Sequence, residues 1–224
     1  GLMQLPPSAR PPLGYIPGGT VNDVAKTLGL SLDPILAAQD IVTGREFPID
    51  IGAFGKDRWF VYVAAFGLFT GVSYQTPQED KQVLGRLAYF LHGVKALGEV
   101  KPIHARVEFE NQALELDVLD GLVCSTTSVG GVLALDSLGI SLNDGQFRHL
   151  VRDIKNLIDF NNVSTALLKS DFRENENIVS KKVRRVHFTF DTPVDWSLDG
   201  EYGGTVTDVE IVNHQRAVNI IVPR

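Results

Sequence analysis

Residues 13–26 read Leu13-Gly14-Tyr15-Ile16-Pro17-Gly18-Gly19-Thr20-Val21-Asn22-Asp23-Val24-Ala25-Lys26. Leu13 to Ile16 is a short apolar strand and Pro17 to Thr20 a tight loop; a helix is predicted from about Asn22 to Leu28, with Gly29 placed to end it. A strand that feeds a glycine pair and then a helix start leaves several backbone N–H groups aimed into open space. Those donors and the positive helix end suit an anion, commonly phosphate. Gly18 and Gly19 let the backbone approach a ligand closely, and Thr20 offers a hydroxyl beside them. An ordinary strand-to-helix turn capped by Thr20 or Asn22 accounts for the same residues, and on geometry alone it is the simpler reading. Asp23 weighs the other way. A carboxylate repels bare phosphate, but it has a place there when a divalent cation or a hydroxyl lies between; otherwise it only complements the helix dipole.

Outward from this segment, Asp33-Pro34 starts a second helix, with Asp at the cap and Pro at the first helical position, and Gly44 stops it. Gly1 to Leu5 reads as the tail of a helix and Pro6 to Pro12 as a proline-rich connection. Residues 13–44 are thus the remnant of an α/β layer. From Pro48 the texture changes. Ile49 to Phe54 and Arg58 to Ala65 are strands joined at Gly55-Lys56-Asp57, and residues 79–97 carry apolar groups three or four apart, as in a long amphipathic helix. Ala105 to Val118 alternates around Asn111-Gln112 as a hairpin. Gly121 to Thr127 is a buried-type strand, Phe147 to Ile154 is a further strand or a strand running into a helix, and a helix is expected around 156–169. Strands follow at Val183 to Phe190, Trp196 to Leu198, Thr205 to Val212 and Ala217 to Val222. The fold class is α+β, mainly β: a β-rich region over residues 47–204, preceded by the α/β remnant at 1–46. The last strands, 205–224, either close the β region or return to the first lobe.

Composition bounds what such a chain can do. Of the 224 residues 44% are hydrophobic and 21% charged, as in an ordinary globular protein, and the formal net charge of -6 gives no overall field that would gather nucleic acid. The only dense basic run is Lys181, Lys182, Arg184 and Arg185. A single cysteine, Cys124, excludes an internal disulfide and a thiolate metal cluster; in its apolar run it reads as a small buried hydrophobe. The longest apolar stretch, Trp59 to Val72, is too short to span about 30 Å of hydrocarbon. The expectation is a soluble, cytoplasmic protein whose membrane contact, if any, is peripheral.

Two further turns carry carboxylates. In Leu198-Asp199-Gly200-Glu201 two acids flank a glycine, so both can project to one side of a bend, one orienting or holding metal and the other accepting a proton. A plain Asp-Gly hairpin turn is the bland alternative. In Ser141-Leu142-Asn143-Asp144-Gly145-Gln146 a sharp turn converges carbonyl oxygens on one carboxylate; that could hold magnesium with waters, or be only a turn. The five histidines show no ligand spacing, and there is no Walker loop, dinucleotide-type glycine fingerprint or nucleophile elbow.

Taken in order, these turns carry a resemblance. Leu13 to Lys26 resembles the "GGT-x-ND-x-A-R/K" segment of the diacylglycerol kinase catalytic-domain family, and Pro48-Ile49-Asp50-Ile51-Gly52 is similar to that family's "x-D-x-G" strand. Gly85 to Tyr89 is similar to its "lGklaY" helix, Asn143-Asp144-Gly145 to its "DDG" turn, and Leu198-Asp199-Gly200-Glu201 to its "DGE". The resemblance implies a nucleotide-binding α/β lobe followed by a β-sandwich lipid kinase domain, with the active site in the cleft between them. ATP would be the phosphoryl donor and Mg2+ the metal. Gly18, Gly19, Thr20, Asn22 and Asp23 would lie at the nucleotide, and Glu201 would accept the proton of a lipid hydroxyl with Asp199 beside it. Asp144 with the backbone oxygens of Ser141 and Gln146 would hold a structural magnesium. The implied partners are a diacylglycerol-like lipid and a membrane surface, not nucleic acid, with a homodimer left open. A sphingoid or non-lipid acceptor, or a non-catalytic lipid-binding module, are the alternatives. The family's "NP-x-S/A-G" and "GGDGT" motifs are absent from these residues, Gly1-Leu2-Met3 resembles the helix end that follows the latter, and so the 224 residues alone are expected to be inactive. Ser125-Thr126-Thr127 stands where relatives carry asparagine, and the proline usual before the "DDG" turn is missing near Leu138-Gly139, which leaves the acceptor open.

Overall fold

The computed structural model describes residues 1–19, 21–67, 102–126, 128–129, 133–134, 141–153 and 178–224. The helices expected at 79–97 and 156–169, and Thr20, lie outside the described residues.

Two short 3-10 turns, Leu2–Gln4 and Pro7–Ala9, open the chain where a helix tail and a connection are expected. Helix α1 spans Asp23–Leu28 and stops at left-handed Gly29; helix α2 spans Pro34–Thr43. The cap of α2 is the one its sequence announces. Asp33 is extended, and its Oδ1 accepts from the N–H groups of Ile35 (2.8 Å) and Leu36 (3.1 Å), two of the donors a helix start leaves open. Asp33→Ala is expected to cost about 1 kcal/mol in a urea melt. Ala37 is buried beneath this helix, while Ile35, Leu36 and Val42 face outward.

Eleven strands follow among the described residues: β1 (Arg45–Phe54), β2 (Arg58–Phe60), β3 (Val63–Gly67), β4 (Ile103–Phe109), β5 (Gln112–Cys124), β6 (Ser128–Val129), β7 (Leu133–Ala134), β8 (Phe147–Asp153), β9 (Ile178–Val183), β10 (Arg185–Leu198) and β11 (Glu201–Val222). Nine form one antiparallel sheet ordered β2-β1-β11-β10-β3-β5-β8-β9, with β4 pairing both β10 and β5. The long strands β5 and β10 therefore pair with β4 at one end and with β3 at the other, which curls the sheet over its own core. The expected hairpin is β4 and the first half of β5, and its second arm runs without a break into the buried strand expected from Gly121, because alternation up to Asp117 gives way to a run buried on both faces from Val118 onward.

That core is aromatic. Phe66 packs on Trp196 (ring centroids 4.7 Å apart), Phe190 (5.0 Å) and Phe188 (5.6 Å), and Phe54 meets Trp196 edge-on at 5.1 Å. A second core joins the front of the chain to the sheet: Ala25 and Leu30 pack with Ile49, Ile51, Leu142, Val218, Ile220 and Val222. The strand expected over Leu13 to Ile16 is reduced to one parallel bridge, Leu13 to Ile220, since Pro11, Pro12 and Pro17 on either side have no N–H to extend a ladder. Leu13 N donates to Asn219 O and Ile221 N to Leu13 O, both at 2.8 Å. Arg10 Nη1 donates to Ala217 O at 2.7 Å, fastening the same junction. Glycine-loop and β-sheet sides of the molecule are thereby held against each other.

Candidate active site

The glycine loop braces itself. Asn22 is left-handed (φ 54°); its Oδ1 accepts from Gly19 N at 3.0 Å and its Nδ2 donates to Gly19 O at 2.5 Å. Its side chain is thus committed to shaping the turn, and Gly18 and Gly19 remain exposed at the tip. Asp23, the first residue of α1, is buried beside it.

The Asp199-Gly200 bend is a two-residue hairpin loop between β10 and β11. Both residues have positive φ (52° and 92°), the requirement of the turn type that matches sheet twist. The bland sequence reading of this bend is therefore correct, yet the Asp199 side chain does more than turn the chain. Its Oδ2 accepts from Val61 N at 2.6 Å, and its Oδ1 from Tyr62 N at 2.9 Å and Val63 N at 3.0 Å. Three successive amides, in the gap between β2 and β3 where no strand can satisfy them all, converge on one carboxylate. Burial pushes the Asp199 carboxyl above its ordinary value, and the three N–H donors pull part of that shift back. With both oxygens engaged, Asp199 fixes the bend, and Glu201 stands exposed at the start of β11.

The bend meets the glycine-loop side through Tyr62. Burial raises the Tyr62 phenol well above its usual range, and the nearby charges of Asp199 and then Asp23 add to the effect. Asp199 and Tyr62 also line a cavity of about 480 Å³ together with Gly14, Tyr15 and Val24. Of the glycine-loop and Asp199–Glu201 residues, Asp199 alone lines this cavity; Gly18, Gly19, Asn22, Asp23 and Glu201 are not among its lining residues. A pH test follows from Asp199. Asp199→Asn trades an accepting oxygen for an N–H group aimed at a buried amide, costing about 1–3 kcal/mol near pH 4. Because the folded carboxyl is raised, its favourable share is complete below about 3.9, the unfolded value, and is lost as pH rises through the folded one. Urea melts from pH 4 to 7 are expected to show the gap between the two proteins narrowing upward.

The third turn is tied to the same frame by Asp50. This carboxylate is fully buried on β1 and accepts from Gly145 N (2.7 Å), Arg216 N (2.8 Å) and Asn213 Nδ2 (3.2 Å), while Asp50 N donates to Leu142 O at 2.7 Å. Ser141 Oγ donates to Asn143 Oδ1, and Asp144 Oδ1 accepts from Gln146 N at 3.0 Å. The other oxygen, Oδ2, stands 3.4 Å from the Lys182 ammonium. Asp144 supplies this turn with one carboxylate, the kind of oxygen donor a hard cation such as magnesium takes while keeping most of its waters. Its seat would be the Asp144 oxygen now shared with Lys182, a side chain exposed enough to swing aside. Among the described residues no three His, Cys, Asp or Glu side chains converge as metal ligands.

Remaining candidates fall away. The Cys124 thiol is buried and pushed up to about 12 by that burial, which makes it inert. His104 and His187 stand on the solvent face of the sheet against Asp117 (2.9 Å) and Asp208 (2.8 Å). Among the described residues no helix is long and apolar enough to cross a membrane. Tyr62 escapes a sequence reading because Trp59 to Val63 looks like core strand, and nothing local marks the tyrosine as a cleft residue. Asp50 carries a signal, a lone acid inside an apolar strand.

Residues 1–54 match the family model described as "Diacylglycerol kinase catalytic domain". The chain is 36% identical over 218 residues to a diacylglycerol kinase of Bacillus subtilis (strain 168), covering 96% of this chain and 70% of that protein. With a diacylglycerol kinase of Staphylococcus haemolyticus (strain JCSC1435) it shares 30% identity over 215 residues, 96% of this chain and 64% of the relative. Two crystal structures of diacylglycerol kinase-type proteins from Bacillus anthracis str. Sterne superpose on 99% of the chain with TM-scores of 0.81 and 0.67, covering 71% and 70% of those chains at 23% and 18% identity, and show the same fold.

Proposed function

The chain belongs to the diacylglycerol kinase family, and on that premise we propose that its cleft serves transfer of the γ-phosphoryl group of ATP to the hydroxyl of a diacylglycerol-like lipid. Phosphoryl transfer asks little covalent chemistry of a protein; positioning and charge stabilisation dominate. Amides of the Gly18–Gly19 loop would hold phosphate oxygens, with Asn22 keeping the loop in shape. Glu201 would take the proton as the lipid oxygen attacks, and Asp199 would fix where Glu201 stands. Magnesium bound at the Asp144 turn would supply positive charge that rigidifies this flank.

The observation that supports the reading is the cavity lined by Asp199 and Tyr62 together with Gly14, Tyr15 and Val24 from the segments that flank the glycine loop. Its test is a chimaera in which these residues replace the matching 218-residue stretch of the Bacillus subtilis relative. Supplied with radiolabelled ATP and a panel of diacylglycerol, sphingoid base and non-lipid alcohols in mixed micelles, it is expected to label diacylglycerol first. A folded chimaera that labels none of them while the parent stays active would overturn the proposal. The 224 residues alone supply one glycine loop against a longer polypeptide in the relatives, so ATP is expected to bind them weakly in calorimetry.

A further inference from the structure

The hairpin that carries Glu201 is kinked just beyond it. Trp196 of β10 pairs Gly204 of β11 but Ser197 pairs Tyr202, so Gly203 has no partner across the ladder and forms a β-bulge. Gly204 continues the bulge with a positive φ of 100°. An extra residue here shifts the alternation of everything between it and the turn by one place. The bulge therefore sets which face of β11 Glu201 occupies. Neither glycine has room for a side chain. A Cβ at 203 would stand 2.7 Å from Leu198 Cγ and 3.1 Å from the Trp196 carbonyl oxygen, and one at 204 would fall on the guanidinium of Arg58, 2.9 Å from its Cζ. Arg58 opens β2, opposite Phe54 of β1, and its Nη1 donates to the Gly203 carbonyl oxygen. The side chain is exposed, and among the described residues no carboxylate pairs its charge. Glu201 is thus bracketed from one short segment: the Val61, Tyr62 and Val63 amides hold Asp199 on one side of it, and Arg58 holds Gly203 on the other.

We propose that Arg58 is a positioning residue for Glu201: it holds the bulge by its carbonyl oxygen, fills the space a side chain at 204 would need, and so sets the direction in which the Glu201 carboxylate leaves β11. A guanidinium suits the task because its rigid planar fork keeps one N–H on the carbonyl while its flat body lies against a glycine. A surface arginine that only staples a hairpin would show itself in stability alone. A proton acceptor displaced by about 1 Å, in contrast, can cost about 10²-fold in rate with the fold intact. The inference rests on the reading of Glu201 as the group that takes the lipid proton; the bulge and its contact with Arg58 stand without it.

The test is made in the chimaera with ATP and diacylglycerol in mixed micelles. Arg58→Ala is expected to lower kcat by about 10- to 100-fold, with KM for ATP within about twofold of the parent and a thermal melt close to the parent's. Arg58→Lys keeps a donor for the Gly203 carbonyl and is expected to recover most of the loss. Placed on top of Glu201→Gln, Arg58→Ala is expected to lower kcat by no more than about twofold further, because a residue that acts only through the carboxylate has nothing left to aim. An unchanged kcat in Arg58→Ala would overturn the inference, and so would the same loss with and without Glu201. A raised KM for ATP at an intact kcat would make Arg58 a phosphate contact instead, and loss of a cooperative melt would make it a residue of the fold. An active parent that is indifferent to Arg58→Ala sinks this inference alone. A folded parent chimaera that labels no acceptor sinks the kinase reading, and this inference with it.

Discussion

In the chimaera, Glu201→Gln is expected to lower kcat by about 10²–10⁴-fold, with little change in KM or in the thermal melt. Glutamine keeps the size of the side chain and its hydrogen-bonding reach while removing its capacity to take a proton. Glu201 is exposed and sits outside both apolar cores, so the fold has little to lose. The neighbouring acid should behave oppositely. Asp199 has both oxygens filled by the amides of Val61, Tyr62 and Val63, so its replacement should disturb stability and substrate affinity together. The two carboxylates of the bend can therefore be separated by their signatures: a pure kcat effect at 201, and a melt shift accompanied by a raised KM at 199. Near-wild-type kcat in Glu201→Gln would remove that residue from the mechanism.

What was legible in the sequence was whatever local chemistry dictates. The Asp33-Pro34 start of α2, its end at Gly44, and the positive-φ Asp199-Gly200 hairpin all follow from residues within four positions of one another. Strand identity was legible too, but strand extent was not. The hairpin's second arm, ending at Val118, and the strand from Gly121 read as separate elements although β5 runs unbroken from Gln112 to Cys124, because burial on both faces erases the alternation that would show continuity. The site was legible as a set of turns and illegible as a network. Asp199 reaches amides more than 130 residues upstream, and Asp50 reaches Asn213 more than 160 residues downstream. No spacing rule predicts which backbone donors a buried carboxylate will find; that is decided by where the sheet brings distant loops. Tyr62 was hidden for the same reason, its neighbours Asp23 and Asp199 being local to it only after folding.

Asp50→Ala is expected to be the most destabilising single change in the β1–β11 frame, by about 3–5 kcal/mol in a urea melt. The register between these strands slips at this residue: Ile49 pairs Val218 but Ile51 pairs His214, so residues 215–217 bulge opposite Asp50 alone. Arg216 at the crest is left-handed (φ 52°), and its N–H finds the Asp50 carboxylate instead of a ladder partner. Gly145 N and Asn213 Nδ2 depend on the same group, and all three donors would lose their acceptor together in a site with little room for water. Asp50→Asn should recover part of the loss, since one amide oxygen can still serve Gly145 or Arg216 while its NH2 opposes the other. The damage should also reach beyond stability. The Asp144 turn is anchored through Gly145, so if the proposed magnesium seat at Asp144 is real, releasing the turn should shrink the melt shift on adding Mg2+, even in the asparagine variant. A melt unchanged in Asp50→Ala would mean that the bulge and the turn are held by their own local hydrogen bonds, and that the carboxylate between them is incidental to both.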